Sequence, residues 1–128
     1  MPAALKKRPK HLDVLKIRQP VPAIVSILHR VSGTLMVLLA IPIVLAMLQG
    51  TLASPESFAA WRNALAHPLA KIVLLGFLWL LMHHFFAGLR FLALDLHKGI
   101  DLGPARFWSK VVLYAGALAT LLIGALLW

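Results

Sequence analysis

Cysteine is absent from all 128 residues. That removes disulfides, zinc–thiolate centres and iron–sulfur ligation together. Acidic residues are scarce too: four Asp and Glu stand against thirteen Lys and Arg, for a formal net charge of +9. None of the four falls inside a long apolar run, so a proton relay would lack its usual buried carboxylate. There is no glycine-rich phosphate loop, and too little chain is left over for a nucleotide-binding domain. Internal repeats and low-complexity segments are also missing. If electrons pass through this chain, they must arrive from another subunit.

Apolar surface is what the chain has in abundance. It is 61% hydrophobic and 13% charged, with a mean hydropathy of +0.88. A soluble domain of this size could not keep so many apolar groups from water, so the bilayer must be the solvent. Val31–Leu48, Ile72–Leu89 and Val111–Trp128 each run 18 residues without a charge. At 1.5 Å per residue each covers roughly 27 Å, close to a hydrocarbon core. The expected fold is an all-α membrane protein of three transmembrane helices, one membrane-anchor domain over 1–128. Its parts are an N-terminal segment 1–21, helix one 22–49, an outer loop 50–67, helix two 68–95, a loop 96–104 and helix three 105–128.

Punctuation residues set those boundaries. Arg18-Gln-Pro20-Val-Pro22 disfavours helix before Pro22, which is tolerated in a first turn. Pro42 lies mid-span and should kink helix one modestly. Ser54-Pro55-Glu56 looks like the capped start of a short amphipathic segment ending near His67. The basic region before the first span is too long for a signal peptide, so that span is expected to be retained.

Charge placement orients the spans. Lys6, Lys7, Arg8, Lys10, Lys16, Arg18 and Arg30 precede or open the first span, and Arg90, Lys98, Arg106 and Lys110 flank the second loop. The first loop and its edges hold only Arg62 and Lys71. Cationic loops stay cytoplasmic, which puts the N-terminus inside and Trp128 outside. These charges flank spans rather than forming a patch interleaved with aromatics, so they suit lipid head groups or an acidic docked partner, not nucleic acid.

Two constellations carry chemistry. His84 lies deep in the second run, where an ionisable group is a functional candidate. Gly88 follows one helical turn later and is expected to clear room for a bulky planar group such as haem. The alternative is a histidine bonded to a neighbouring helix. His83 points about 100° away from His84 and cannot share one metal with it. The second constellation is Ser26-Ile-Leu-His29-Arg30-Val-Ser32-Gly33, where Ser26, His29, Arg30 and Gly33 share one helical stripe. Hydroxyl, imidazole and guanidinium on one face suit a quinone carbonyl or a haem propionate. Taken singly, Arg30 reads first as a snorkelling anchor and Ser26 as a packing residue. Counting along helices one and two places both constellations in the cytoplasmic half of the membrane.

Arg8-Pro9-x-x-Leu12-Asp13, Ser26-x-x-His29-Arg30-x-Ser32-Gly33 and His84-x-x-x-Gly88-Leu89-Arg90 with Asp95 resemble the cytochrome b membrane-anchor subunit of succinate dehydrogenase, over essentially the whole chain. The resemblance implies a multi-pass protein of a bacterial inner membrane, in a bundle shared with a second membrane anchor. An iron–sulfur subunit and a flavoprotein subunit would complete the complex. It also implies haem b shared between the anchors and ubiquinone as substrate. His84 would be the axial iron ligand, His29 and Arg30 would lie at the haem propionates, and Ser26 and Arg30 would bind quinone. Phe91 departs from the family, standing where many members have histidine; Leu94 and Lys10 also differ from the usual residues. Two rival readings are a haem-free or menaquinone-linked fumarate reductase anchor and a small proton-coupled transporter subunit.

Overall fold

In a computed structural model of the chain, residue 13 and residues 16–128 are described; the Lys6–Arg8 and Lys10 charges and most of the first motif lie outside them. The architecture is an all-α bundle of three membrane-spanning helices, with a short helix across one end. The first span joins α1 (Val21–Leu35), a π-helical turn (Met36–Ala40) and α2 (Ile41–Ala53). α3 covers Pro55–Ala66, α4 Pro68–Asp95 and α5 Leu102–Leu127.

Proline sets the starts. Pro20 is extended ahead of α1, and a proline opens the first turn of α1, α3 and α4, where its missing N–H costs no helical bond. Pro42 lies inside the first span, and its effect falls on the turn ahead of it. The Ile41 N–H reaches back five residues to the Met36 carbonyl, so the chain widens by one residue where proline cannot donate.

At the far end, the Ser54 hydroxyl caps α3 by accepting the Ser57 N–H at 3.1 Å. Ser57 Oγ in turn donates to the Gly50 carbonyl at 2.5 Å. Glu56 sits in that first turn. Its own backbone N–H, and then the Ser54 hydroxyl, hold its carboxyl below the ordinary range. Gly50 leaves the space that the Trp61 indole fills, which folds α3 back on α2.

α4 packs most extensively on α5. The buried face of α5 is Ser109, Val112, Gly116, Thr120 and Gly124, a stripe of small residues at helical spacing. A Cβ on Gly116 would lie 3.2 Å from the His83 Cα, so the two backbones touch. Close backbone approach replaces the hydrophobic drive that lipid cannot provide between helices. The hydroxyls on this stripe bond within their own helix, Ser109 to the Ala105 carbonyl at 2.6 Å and Thr120 to the Gly116 carbonyl at 2.7 Å, so neither is stranded. Large apolar side chains cover the outside, Leu38 at 65% exposure and Ile72 at 65% among them. A surface of that kind belongs in hydrocarbon.

The α4–α5 turn is a Schellman closure. The His97 N–H donates to the Leu94 carbonyl and the Lys98 N–H to the Ala93 carbonyl, both at 2.9 Å, with His97 left-handed at φ 56°.

Candidate functional site

α1 and α4 run antiparallel and bring the two sequence constellations to one depth. Ser32 lies eleven residues into α1 and His84 eleven residues before the end of α4. At 1.5 Å per residue, both sit about 16 Å from the same end of the bundle.

The His84 ring enters a small nest on α1. Its Nδ1 lies 3.1 Å from the His29 carbonyl oxygen and 3.2 Å from Ser32 Oγ. Ser32 donates its own proton to that same carbonyl at 2.9 Å. The hydroxyl proton is therefore spent, and both neighbours of Nδ1 are acceptors. Nδ1 must carry the proton, which leaves the Nε2 lone pair for a ligand. Ser32 is 1% exposed, so bulk water does not compete for these bonds.

Gly33 completes the nest. A Cβ there would stand 2.9 Å from His84 Cε1, closer than real Cβ contacts come, so a side chain would push the ring away. The space beside the His84 ring is thus cleared from the neighbouring helix. Gly88, expected to leave room for a planar group, borders His29: its Cβ would meet only His29 Nε2, at 3.7 Å. The reason is rotational. His84 and Gly88 share a face of α4, but the imidazole leans across to α1, so the residue it crowds belongs to the partner helix.

His29 stacks on His84 with ring centroids 4.1 Å apart and planes 18° from parallel. Phe91 closes the other side of His29 at 5.1 Å. Position 91 is thus an apolar wall against His29. Stacked side by side, His29 and His84 cannot approach one iron from opposite faces. Among the described residues no group of three or more His, Cys, Asp or Glu gathers around a common point.

His83 points elsewhere, as adjacency requires. Its ring stacks on Trp79 at 5.5 Å, is 1% exposed, and neither nitrogen makes a hydrogen bond. Ser26 is half-buried on α1, and Arg30 is exposed and turned away from the three-helix core. The shared stripe therefore splits: His29 and Gly33 meet His84, while Ser26 and Arg30 do not. Sequence reasoning quoted Ser32 and Gly33 but gave neither a role. The available signal was a serine three residues after a histidine, able to bond that residue's carbonyl.

Comparison with known proteins yields a family and several relatives. The family described as succinate dehydrogenase/fumarate reductase transmembrane subunit matches residues 4–123. A succinate dehydrogenase cytochrome b556 subunit of Coxiella burnetii is 34% identical over 123 residues, 95% of this chain and 98% of its own length. The protein of the same description from Paracoccus denitrificans is 32% identical over 103 residues, 80% of this chain and 77% of its own.

Proposed function

This chain belongs to the succinate dehydrogenase/fumarate reductase transmembrane-subunit family, and from that premise we propose how its residues serve a succinate dehydrogenase as its cytochrome b membrane anchor. His84 Nε2 would hold the iron of haem b, with the Nδ1 proton held by the His29 carbonyl and Ser32 Oγ. The observation that carries this reading is the forced tautomer. Metal-bound histidines have the other ring nitrogen donating to a fixed acceptor, and that bond orients the ring and strengthens the ligand. The cradle at Gly33 fits as well, since it lets the ring stand upright between two helices.

Bound haem b would supply a one-electron carrier within the membrane. A further ligand for the iron, and cover for the exposed Arg30, would come from a second anchor subunit. His29, with Nε2 at the Gly88 gap, and Arg30 lie where the propionates would be held. Ubiquinone binds nearer the end of the bundle, against Ser26 and Arg30. Ser26 donates a hydrogen bond to one quinone carbonyl oxygen, and Arg30 stabilises the negative charge that develops as electrons arrive. Two electrons from the iron–sulfur subunit and two protons from water convert quinone to quinol. A flavoprotein subunit oxidises succinate and supplies those electrons. The N-terminal end of α1 faces the cytoplasm of a bacterial inner membrane, because Lys16, Arg18, Lys98, Arg106 and Lys110 all gather at that end.

The test uses the assembled complex. His84→Ala should lose the reduced-minus-oxidised haem spectrum, while His83→Ala should keep it. In parallel, Arg30→Leu and Ser26→Ala should slow quinone reduction, by as much as about 100-fold if the lost bond acts on a developing oxyanion. Succinate oxidation by a soluble acceptor should survive in both. A full haem spectrum in His84→Ala would overturn the ligand assignment. A quinone reductase rate within a factor of about three in Arg30→Leu would make that residue an interfacial anchor instead.

A further inference from the structure

A cavity of about 350 Å³ lies between α4 and α5 beneath their connecting turn. Phe86, Leu89, Val111, Val112 and Ala115 give it an apolar floor, and Arg90, Lys98 and Trp108 stand over it. None of His84, His29, Ser26 or Arg30 lines it.

Its mouth is charged and uncompensated. Among the described residues, the only ion pair within 4.0 Å is Lys16 with Asp13, so neither Arg90 nor Lys98 has a carboxylate. Arg90 Nε is buried and makes no hydrogen bond; the guanidinium has only the Phe91 ring, 5.5 Å away. A buried guanidinium N–H without an acceptor costs stability unless an anion comes to it. Lys98 is held at the rim by the Schellman bond from its own N–H to the Ala93 carbonyl, at 2.9 Å. Gly99 then turns the chain with φ 74° and lies against the Trp108 ring. A half-buried guanidinium, a lysine anchored by its backbone at the rim, an interfacial tryptophan and an apolar floor running into the bilayer match one kind of molecule.

We propose that this cavity binds an anionic membrane phospholipid, with the phosphate between Arg90 and Lys98 and the start of one acyl chain along Phe86, Leu89 and Val112. The volume fits that choice. It sits at the small end of ligand pockets, roughly 300–1,000 Å³, enough for a head group and the first part of a chain but not for a folded peptide segment. The depth fits as well. Arg90 is five residues before the end of α4, so its Cα lies about 7–8 Å inside the helix end, within reach of a phosphate at the membrane surface. The site is independent of the haem and quinone assignments, because lipid retention is its readout.

The experiment purifies the whole complex in mild detergent and counts bound lipid by native mass spectrometry during titration with phosphatidylglycerol or phosphatidylcholine. Phosphatidylglycerol should be retained preferentially. Lys98→Gln should weaken its retention about fivefold, the weight of one interfacial lysine. Ala115→Phe should abolish it by filling the floor. If that variant does not assemble, Lys98→Gln, which lies in the turn, carries the test alone. Equal retention of phosphatidylcholine, no change in Lys98→Gln, or displacement by inorganic phosphate alone would each overturn the proposal, the last by making this a site for a soluble anion.

Discussion

Ser32→Ala removes one oxygen from the centre of the nest and leaves every backbone atom in place. That oxygen donates to the His29 carbonyl at 2.9 Å and lies 3.2 Å from His84 Nδ1. The Nδ1 proton keeps its second acceptor, the His29 carbonyl at 3.1 Å, so the ring loses one restraint of two and is not released. One net hydrogen bond is worth roughly 0.5–1.5 kcal/mol, or about 20–65 mV for a one-electron couple. The sign follows from basicity. An acceptor at Nδ1–H pushes electron density toward Nε2 and favours oxidised iron, so its loss raises the midpoint potential. Haem affinity should fall toward the lower end of the roughly 10–100-fold range for changes behind a metal ligand. Potentiometric titration of the haem absorbance in the intact complex, with haem counted per complex, reads both quantities. An unchanged potential with full haem content would refute the claim that the Nδ1 contacts orient the ligand. A loss as deep as that of His84→Ala would mean that Ser32 holds the helices together, not the ring.

The two glycines of the site should behave differently. Gly33→Ala should displace the His84 ring and lower haem content, whereas Gly88→Ala, with ordinary contact at 3.7 Å, should leave the haem spectrum unchanged. His83→Phe keeps a ring against Trp79 and removes two unsatisfied buried nitrogens. It should leave the melting temperature of the complex unchanged or raise it, with an effect of at most about 1–3 kcal/mol; a clear fall would reveal a polar partner for His83. Glu56 gives a pH dependence. Its carboxyl is held below the ordinary 4.5, so its contribution to the start of α3 is present above that value and lost as the pH falls through the lowered one. Amide protection at Ser57 and Phe58 should therefore drop in acid, a step that Glu56→Gln should not show.

Much of the fold was legible because the bilayer imposes it. Charge-free runs must be helices, and their lengths must match the hydrocarbon, so Val31–Leu48 and Ile72–Leu89 each fall within one span, and Val111–Trp128 does so but for its last residue. The meeting of His29 with His84 followed from counting residues inward from one end of two antiparallel helices. Counting gives depth, but it does not give rotation about the helix axis. Whether His84 crowds Gly88 on its own helix or Gly33 on the next depends on how α1 and α4 roll against each other. That is set by side-chain packing along both. The division of the Ser26–Gly33 stripe was hidden for the same reason. Pro42 announced a disturbance in the first span, but sequence could not tell a bend from an added residue.

That added residue works as a phase slip. A π turn inserts one position into a helix without breaking it, and each position rotates everything beyond it by about 100°. The half of the first span that carries His29, Ser32 and Gly33 ends before Met36; the half that carries Gly50 begins after Ala40. The two halves resemble gears keyed at different angles on one shaft. One is indexed to the imidazole of α4 and the other to the indole of α3. Gly50 and Trp61 both lie beyond Ala40, so α2 and α3 take their angle together, set by the π turn and not by the nest around His84.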